Sequence, residues 1–301
     1  MRRLKSQSAM EYLMTYGWAI LIIGVVLAVL FQIGVFSGSN FSTGALPGSC
    51  QVQRSSAGTS LTGECLNREP EFVANFTNTK SPYVLTSSAG WPTGNTVQYS
   101  LFMWINTGSS AGSPFALGVF RYGVFGSYGV QIDNGISLEI NSNGDICAYA
   151  YTDGAYPLIC SPNPINNKQW HLVGVTYNGG GSLADATLYV NATAVATGSS
   201  GDTAPLVIPT VGEFGGNFDG DGTFTGYLSN IQLYNTSLAQ SEVQALYMEG
   251  IGGAPIRPQN LTGWWPLNGD VNDYGGLGNN GAATSVTYSS AWMSKTNYAP
   301  P

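Results

Sequence analysis

An apolar run near the start of the chain limits its possible folds more than any other feature. From Trp18 to Phe36 there are nineteen residues with one polar member, Gln32. At about 1.5 Å of rise per residue, roughly 20 apolar residues span the hydrocarbon core of a bilayer. The run therefore predicts a membrane-inserting helix. Arg2, Arg3 and Lys5 precede it and no Lys or Arg follows before Arg54, so the charge bias keeps the start cytoplasmic and sends the remainder outside. The expected location is the cell membrane, with an extracellular head. The residues alone leave two readings open: a secretory signal cut near Val35-Phe36-Ser37-Gly38-Ser39, or an uncleaved single-span anchor.

The segment "KSQSAMEYL" resembles the start of an archaeal type IV prepilin, whose class III signal peptide is cut on the cytoplasmic side of the apolar helix. The resemblance covers the leader and the apolar run and is silent on the rest. It implies that a prepilin peptidase cuts between Ser6 and Gln7, although the family more often has Gly or Ala before the bond. Glu11 then stands fifth in the mature chain. A carboxylate in a packed apolar bundle is costly unless paired, and the new α-amino group at Gln7 of a neighbouring subunit is its natural partner. The implied partners are thus the membrane, the peptidase and further copies in a filament, cell-surface if assembled.

Without Arg2, Arg3 and Lys5 the chain keeps seven basic residues against seventeen acidic ones, a formal charge of −10. That balance argues against nucleic acid as a partner. Sequons at Asn40, Asn75, Asn191, Asn235 and Asn260 are candidate glycosylation sites once outside the membrane. The four cysteines, Cys50, Cys65, Cys147 and Cys160, allow three pairings in an oxidising compartment. Asp153-Gly154 lies midway between Cys147 and Cys160 and is a strong hairpin signal, which sets those two cysteines opposite each other in a non-hydrogen-bonded pair. Pro157 between them argues for an edge hairpin. Cys50 and Cys65 are centred on Ala57-Gly58, so a second local staple is expected.

Beyond residue 37 the chain shows short apolar or alternating runs separated by turn signals. The clearest are "VQYSLFMWI" (97–105), "GISLEI" (135–140), "QWHLVGVTY" (169–177), "ATLYV" (186–190) and "GYLSNIQLY" (226–234), with Asn134-Gly135, Asn143-Gly144 and Asn178-Gly179 as punctuation. Such spacing predicts a mainly β antiparallel sandwich. One short helix is expected near 238–249, lying over a sheet edge. Ser237 and Gln240 form a capping-box pattern there, Ala239, Val243, Leu246 and Tyr247 share a face, and Gly250 stops it.

The stretches "VQYSLFMWINT", "NNKQWHLVGVTYNGGG" and "FTGYLSNIQLYNTSLAQSEVQALYMEG" together resemble the laminin-G-like, concanavalin A-type jelly roll, over residues 72–252. The C-terminal "LTGWWPLNGDVNDYGGLGNNG" is similar to that family's opening strand and loop, although here it comes last. It either completes the same sandwich or begins a second repeat, and completion is favoured because Trp264, Trp265 and Leu267 would otherwise be exposed. The expected organisation is a leader (1–6), a hydrophobic transmembrane or filament-core helix (7–36), a linker with a small disulfide-stapled hairpin (37–71), and a jelly roll (72–301) completed by 255–301.

Catalysis is not expected. Glycosidases need two flanking carboxylates, and no strand supplies a pair, since Glu139 stands alone and Glu69 and Glu71 flank Pro70. His171 is the sole histidine and reads as structural. Trp104, Trp170, Trp264 and Trp265 fall in strand patterns and read as core, whereas Trp91, beside Pro92, is the candidate for stacking on a carbohydrate ring. No cofactor is required. Calcium is the one candidate ion, because Asn217, Asp219 and Asp221 alternate before Gly222 like the first half of an EF-hand loop. "NGDVND" alternates likewise, but the laminin-G-like family often carries an acidic pair where Ser229 and Asn230 stand here. The function expected is a pilin-like surface subunit whose lectin-like head serves adhesion or glycan recognition. The alternatives are a monomeric membrane-anchored carbohydrate-binding protein and a structural envelope protein.

Overall fold

A computed structural model describes residues 7–32, 46–65, 69–76, 83–86, 89–91, 97–109, 117–122, 136–150, 158–181, 183–198, 212–215, 224–290 and 292–293. The chain forms two compact units, Met1–Thr43 and Gly44–Pro301. The first contains α1 (Gln7–Gln32), a helix of 26 residues. Positions 33–36 of the expected helix lie outside the described residues. Side chains within α1 are described at Met14 and at residues 16–29. Among the described residues no helix is long and apolar enough to cross a membrane.

The second unit is an antiparallel sandwich with a roof. Its strands are β1 (Cys50–Ser55), β2 (Gly58–Gly63), β3 (Val73–Asn75), β4 (Tyr83–Thr86), β5 (Tyr99–Asn106), β6 (Leu117–Tyr122), β7 (Ile136–Ile140), β8 (Ile146–Ala150), β9 (Leu158–Cys160), β10 (Trp170–Tyr177), β11 (Ala186–Val190), β12 (Thr193–Thr197), β13 (Gly212–Phe214) and β14 (Tyr227–Tyr234). After helix α2 (Gln240–Met248) come β15 (Leu261–Trp265), β16 (Gly281–Thr284) and β17 (Thr287–Ser289). One sheet has the order β12-β11-β10-β5-β14-β3-β17, with β15 also paired to β14; the other runs β16-β4-β13-β6-β7-β8-β9. The C-terminal segment thus adds strands to both sheets. The five strand patterns read from sequence fall on β5, β7, β10, β11 and β14.

The middle of the eight-stranded sheet is buried on both faces, so all eight residues of β5 are buried, whereas the edge strand β12 is not. Leu101, Met103 and Ile105 enter the core between the sheets, together with Val173, Val175, Leu228 and Trp265. Their neighbours Phe102 and Trp104 enter a second core with Trp170, Leu172, Tyr234 and Trp264. Gly174 is required where the layers are tightest, since a Cβ there would lie 2.2 Å from the Phe102 ring.

Three segments roof this outer face. Helix α2 contributes Val243 and Leu246, and Tyr247 stacks on Trp104 with centroids 5.7 Å apart and planes 16° from parallel. It therefore covers the face of a central strand and not a sheet edge as its sequence suggests. Its capping also differs: the helix begins after Ala239, whose N–H donates to Glu242 Oε2 at 2.8 Å, and Glu242 is further held by Arg257. Ala239 is exposed, but Gly250 ends the helix at φ +76° as its position predicts. Trp292 is the second segment's contribution, donating from Nε1 to Pro70 O at 3.0 Å.

The hairpin β1–β2 is the third segment. Ser55 pairs with Gly58 and Cys50 with Gly63, so the turn is Ser56-Ala57, one residue earlier than the cysteine midpoint. Gly63, at φ +96°, turns the chain so that Glu64 N–H donates to Ser49 O, and Cys65 reaches back to Cys50 with Cα atoms 4.9 Å apart. Arg54 clamps the hairpin to the C-terminal segment, donating from Nε to Gly275 O at 2.9 Å and from its terminal nitrogen to Leu261 O.

The loop after β15 is organised by one buried carboxylate. Asp273 Oδ1 accepts from the N–H groups of Trp264 and Gly275 at 2.9 and 2.7 Å, and Oδ2 accepts from Asn279 N–H at 2.9 Å. Asn279, fully buried, in turn bonds both the N–H and the carbonyl of Ala89. Asp273→Ala leaves three backbone donors without their acceptor, and bonds to a charged group are worth about 1.5–3 kcal/mol each. Denaturant unfolding should show a loss of ~3–5 kcal/mol for Asp273→Ala and a smaller loss for Asp273→Asn.

Candidate functional site

Opposite the roofed sheet stands the seven-stranded sheet, ordered by its register. Core residues Val84, Phe214, Leu138, Ile140, Ile146 and Ala148 define the inward face of this sheet. Register then aligns one row across seven strands: Ala282, Leu85, Glu213, Arg121, Ser137, Tyr149 and Leu158. At about 4.8 Å per strand the row extends about 29 Å, the scale of an extended oligosaccharide. A second row aligns Gly118, Glu139, Cys147 and Cys160.

Sequence reasoning missed Glu213 and Arg121. Within any one strand Glu139 does stand alone, but backbone register pairs Glu213 with Arg121, on the strand between β13 and the β7 that holds Glu139. Arg121 interrupts the apolar run "FALGVFRYGVF" (115–125), and β13 spans only three residues. No local signal announces a pairing between positions 121 and 213. Carboxylates, guanidinium groups and aromatic rings are the side chains that grip sugar hydroxyls and ring faces.

The disulfides join Cys50 to Cys65 and Cys147 to Cys160. Cys147 is directly opposite Cys160, and Ser161 N–H donates to Ile146 O at 2.8 Å. The adjacent cysteine pair is therefore non-hydrogen-bonded, with Cα atoms 4.0 Å apart. β9 is a sheet edge, as Pro157 suggested; the turn at Asp153-Gly154 lies outside the described residues.

Trp91 is not a stacking platform. It is 5% exposed and packs edge-on against Trp265 at 6.3 Å, because the Asn279 bonds to Ala89 draw its turn onto the sandwich. Trp104, Trp170, Trp264 and Trp265 are buried. Ser6, Asn40, Asn217, Asp219 and Asp221 lie outside the described residues, and Gln7 and Glu11 are described as helical backbone only.

Ser229 and Asn230, at the family's acidic positions, do not fit a cation. Both are buried, and Ser229 Oγ donates to Pro266 O at 3.1 Å. Asn230, at φ +51° in the β14 bulge, accepts on Oδ1 from Gln232 Nε2 and Trp264 Nε1 and donates from Nδ2 to Gly253 O. In "NGDVND", Asn268 Oδ1 accepts from Phe72 N–H, while Asp270 accepts from Asn272 and Tyr274. Among the described residues no group of three or more His, Cys, Asp and Glu is placed to hold a metal ion.

A small cleft of about 40 Å³ lies between hairpin and sandwich, lined in part by Glu64, Asn230, Trp264 and Asn268. Its polar floor is the same structural network, so it is a seam between layers. His171 is structural: Nε2 lies 3.0 Å from Asn167 Oδ1 and Nδ1 lies 3.0 Å from Asn191 Nδ2. Asn191 Oδ1 accepts from Leu172 N–H, which turns its amide nitrogen to the ring and selects a neutral imidazole with a bare Nδ1. Burial lowers the His171 pKa accordingly.

The profile of the family described as "Concanavalin A-like lectin/glucanases superfamily", of laminin G type, matches residues 78–244, more than half of the chain. The chain belongs to this family, and its head is a lectin-like jelly roll. No curated protein sequence matches it. Among solved structures, a Bacteroides ovatus ATCC 8483 protein described as carbohydrate binding is similar at 13% identity and TM-score 0.49, covering 79% of this chain and 64% of its own. The chain thus spans under two thirds of that relative. A heptameric SAP-like pentraxin of Limulus polyphemus is similar at 16% identity and TM-score 0.47, covering 72% of this chain and 94% of its own. The receptor binding domain of botulinum neurotoxin D follows at 14% and 0.46, covering 67% and 53%.

Glu69, which precedes β3, has its Oε2 buried with no hydrogen-bond partner among the described residues, and burial pushes its pKa up from 4.5 to about 7. A raised folded-state pKa means stability that is full below 4.5 and lost as pH rises through about 7. Glu69→Gln should therefore raise the melting temperature at pH 8 and leave it nearly unchanged at pH 4.5 in thermal unfolding.

Proposed function

We propose that this chain is a pilin-like surface subunit, trimmed between Ser6 and Gln7, whose N-terminal helix packs in a filament and whose lectin-like head recognises glycans or surfaces. The observation that carries the stem is the exposure of α1. Trp18, Ile20, Leu21, Ile22 and Ile23 are all more than half exposed, at 65%, 68%, 56%, 56% and 59%, and they succeed one another around the helix. A surface apolar on every side needs cover, first from lipid and then from like helices. Glu11 supplies selectivity in that packing by pairing with the amine of Gln7 in a neighbouring copy. The location is the cell surface.

For the head, family membership supports carbohydrate as the ligand class, and the backbone register that lines up Glu213, Arg121, Ser137 and Tyr149 across β13, β6, β7 and β8 supports that sheet as its place. Binding without catalysis is the reading. The second reading, a membrane-anchored monomer, is favoured by the same exposed helix if lipid alone covers it.

Glu11→Ala separates them. Filaments on the cell surface, seen by electron microscopy, should be lost or sparse while the amount of head in the membrane is kept; unchanged surface display favours the monomer. N-terminal sequencing of native material should begin at Gln7, and a chain beginning at Met1 or Arg2 counts against processing. On a glycan array the wild-type head should bind, Arg121→Ala should lower the signal at least ten-fold, and a head that binds no glycan points to an envelope protein.

A further inference from the structure

The sequons do not stand in equivalent places, and their hydrogen bonds separate them. Asn75 is inside β3, paired with Tyr227 on one side and Thr287 on the other, and the next residue, Phe76, is fully buried. Asn191 uses both ends of its amide, accepting from Leu172 N–H and turning Nδ2 to His171. Asn260 donates from Nδ2 to Asn235 Oδ1 at 3.0 Å. The hydroxyl of its sequon, on Thr262, is buried and donates to Leu233 O at 3.2 Å. These three amides are committed to the fold.

Asn235 differs on every count. It is exposed, in a bend between β14 and α2, outside any strand pairing. Its N–H donates to Asn260 O at 2.8 Å and its Oδ1 accepts from Asn260, so backbone and carbonyl are held and the amide nitrogen is turned away from Asn260. Nδ2 has no partner among the described residues. Ser237, which completes the sequon, is partly exposed.

We infer that Asn235 is the N-glycan acceptor among the described sequons, and that Asn75, Asn191 and Asn260 stay bare. This rests on the reading that the head is exported. The donor is a lipid-linked oligosaccharide phosphate. A bond forms between Asn235 Nδ2 and the anomeric carbon, the anomeric C–O bond to phosphate breaks, and the displaced proton leaves with the lipid phosphate. Asn260 serves as a positioning residue, presenting the Asn235 amide by holding its oxygen. Two glycans on amides 3.0 Å apart would clash, which adds a steric reason for single occupancy.

Peptide-resolved mass spectrometry of the protein from its native cells tests this, alongside protease shaving of intact cells. The expected result is a hexose-containing adduct on the Asn235 peptide, unmodified Asn75, Asn191 and Asn260 peptides, loss of the adduct in Asn235→Gln, and its retention in Asn191→Gln. Asn260→Asp keeps the fold close to native but removes the donor to Oδ1, and occupancy at Asn235 should fall at least two-fold. A shaved head with Asn235 bare, or with the glycan on Asn260, Asn191 or Asn75, overturns the inference and leaves export standing. A head that protease cannot reach on intact cells overturns both.

Discussion

A sheet that buries both of its faces sets the terms for this head. Side chains on the inward face of β5 pack against the opposite sheet, and Phe102 and Trp104 on the outward face would meet water without a third layer. At about 25 cal/mol per Å² of apolar area, aromatic residues of that size make an uncovered face costly. The roof is assembled from segments far apart in sequence. Arg54 and Trp292 pin its pieces through backbone carbonyls 204 to 222 residues away, and Asp273 fixes the strand between them.

That roof decides where function can reside. Residues at the family's acidic positions are drawn into it: Ser229 and Asn230 serve the bulge, Pro266, Gly253 and the Trp264 indole. In the second sheet, backbone register lines up Glu213, Arg121, Ser137 and Tyr149, the place proposed for a ligand.

Much of this was legible in the residues. The hairpin geometry around Asp153-Gly154 fixed one disulfide, and the buried runs at β5, β10 and β14 named the sandwich, because full burial leaves an unbroken apolar signature. Gly250 marked the helix end since only a residue tolerant of positive φ serves there. The failures share a cause. Trp91 next to Pro92 reads as an exposed turn, and only Asn279, 188 residues further on, pulls it inward. Glu213 and Arg121 carry no local signal, and only register pairs them. The α2 capping pattern on Ser237 was displaced by Glu242, whose carboxylate also has Arg257 to satisfy. Local patterns encode elements, whereas the partners that reassign a residue arrive from the other end of the chain.

The bond between Cys50 and Cys65 makes β1 and β2 a closed covalent ring. Tension applied through residue 46 crosses from one sulfur to the other and never loads the turn, so the hairpin cannot be unzipped from its tip. The load passes next to the bonds that clamp the hairpin to the C-terminal segment, Val52 N–H to Tyr274 O and Arg54 Nε to Gly275 O, and only after them to β3, a three-residue strand held between β14 and β17.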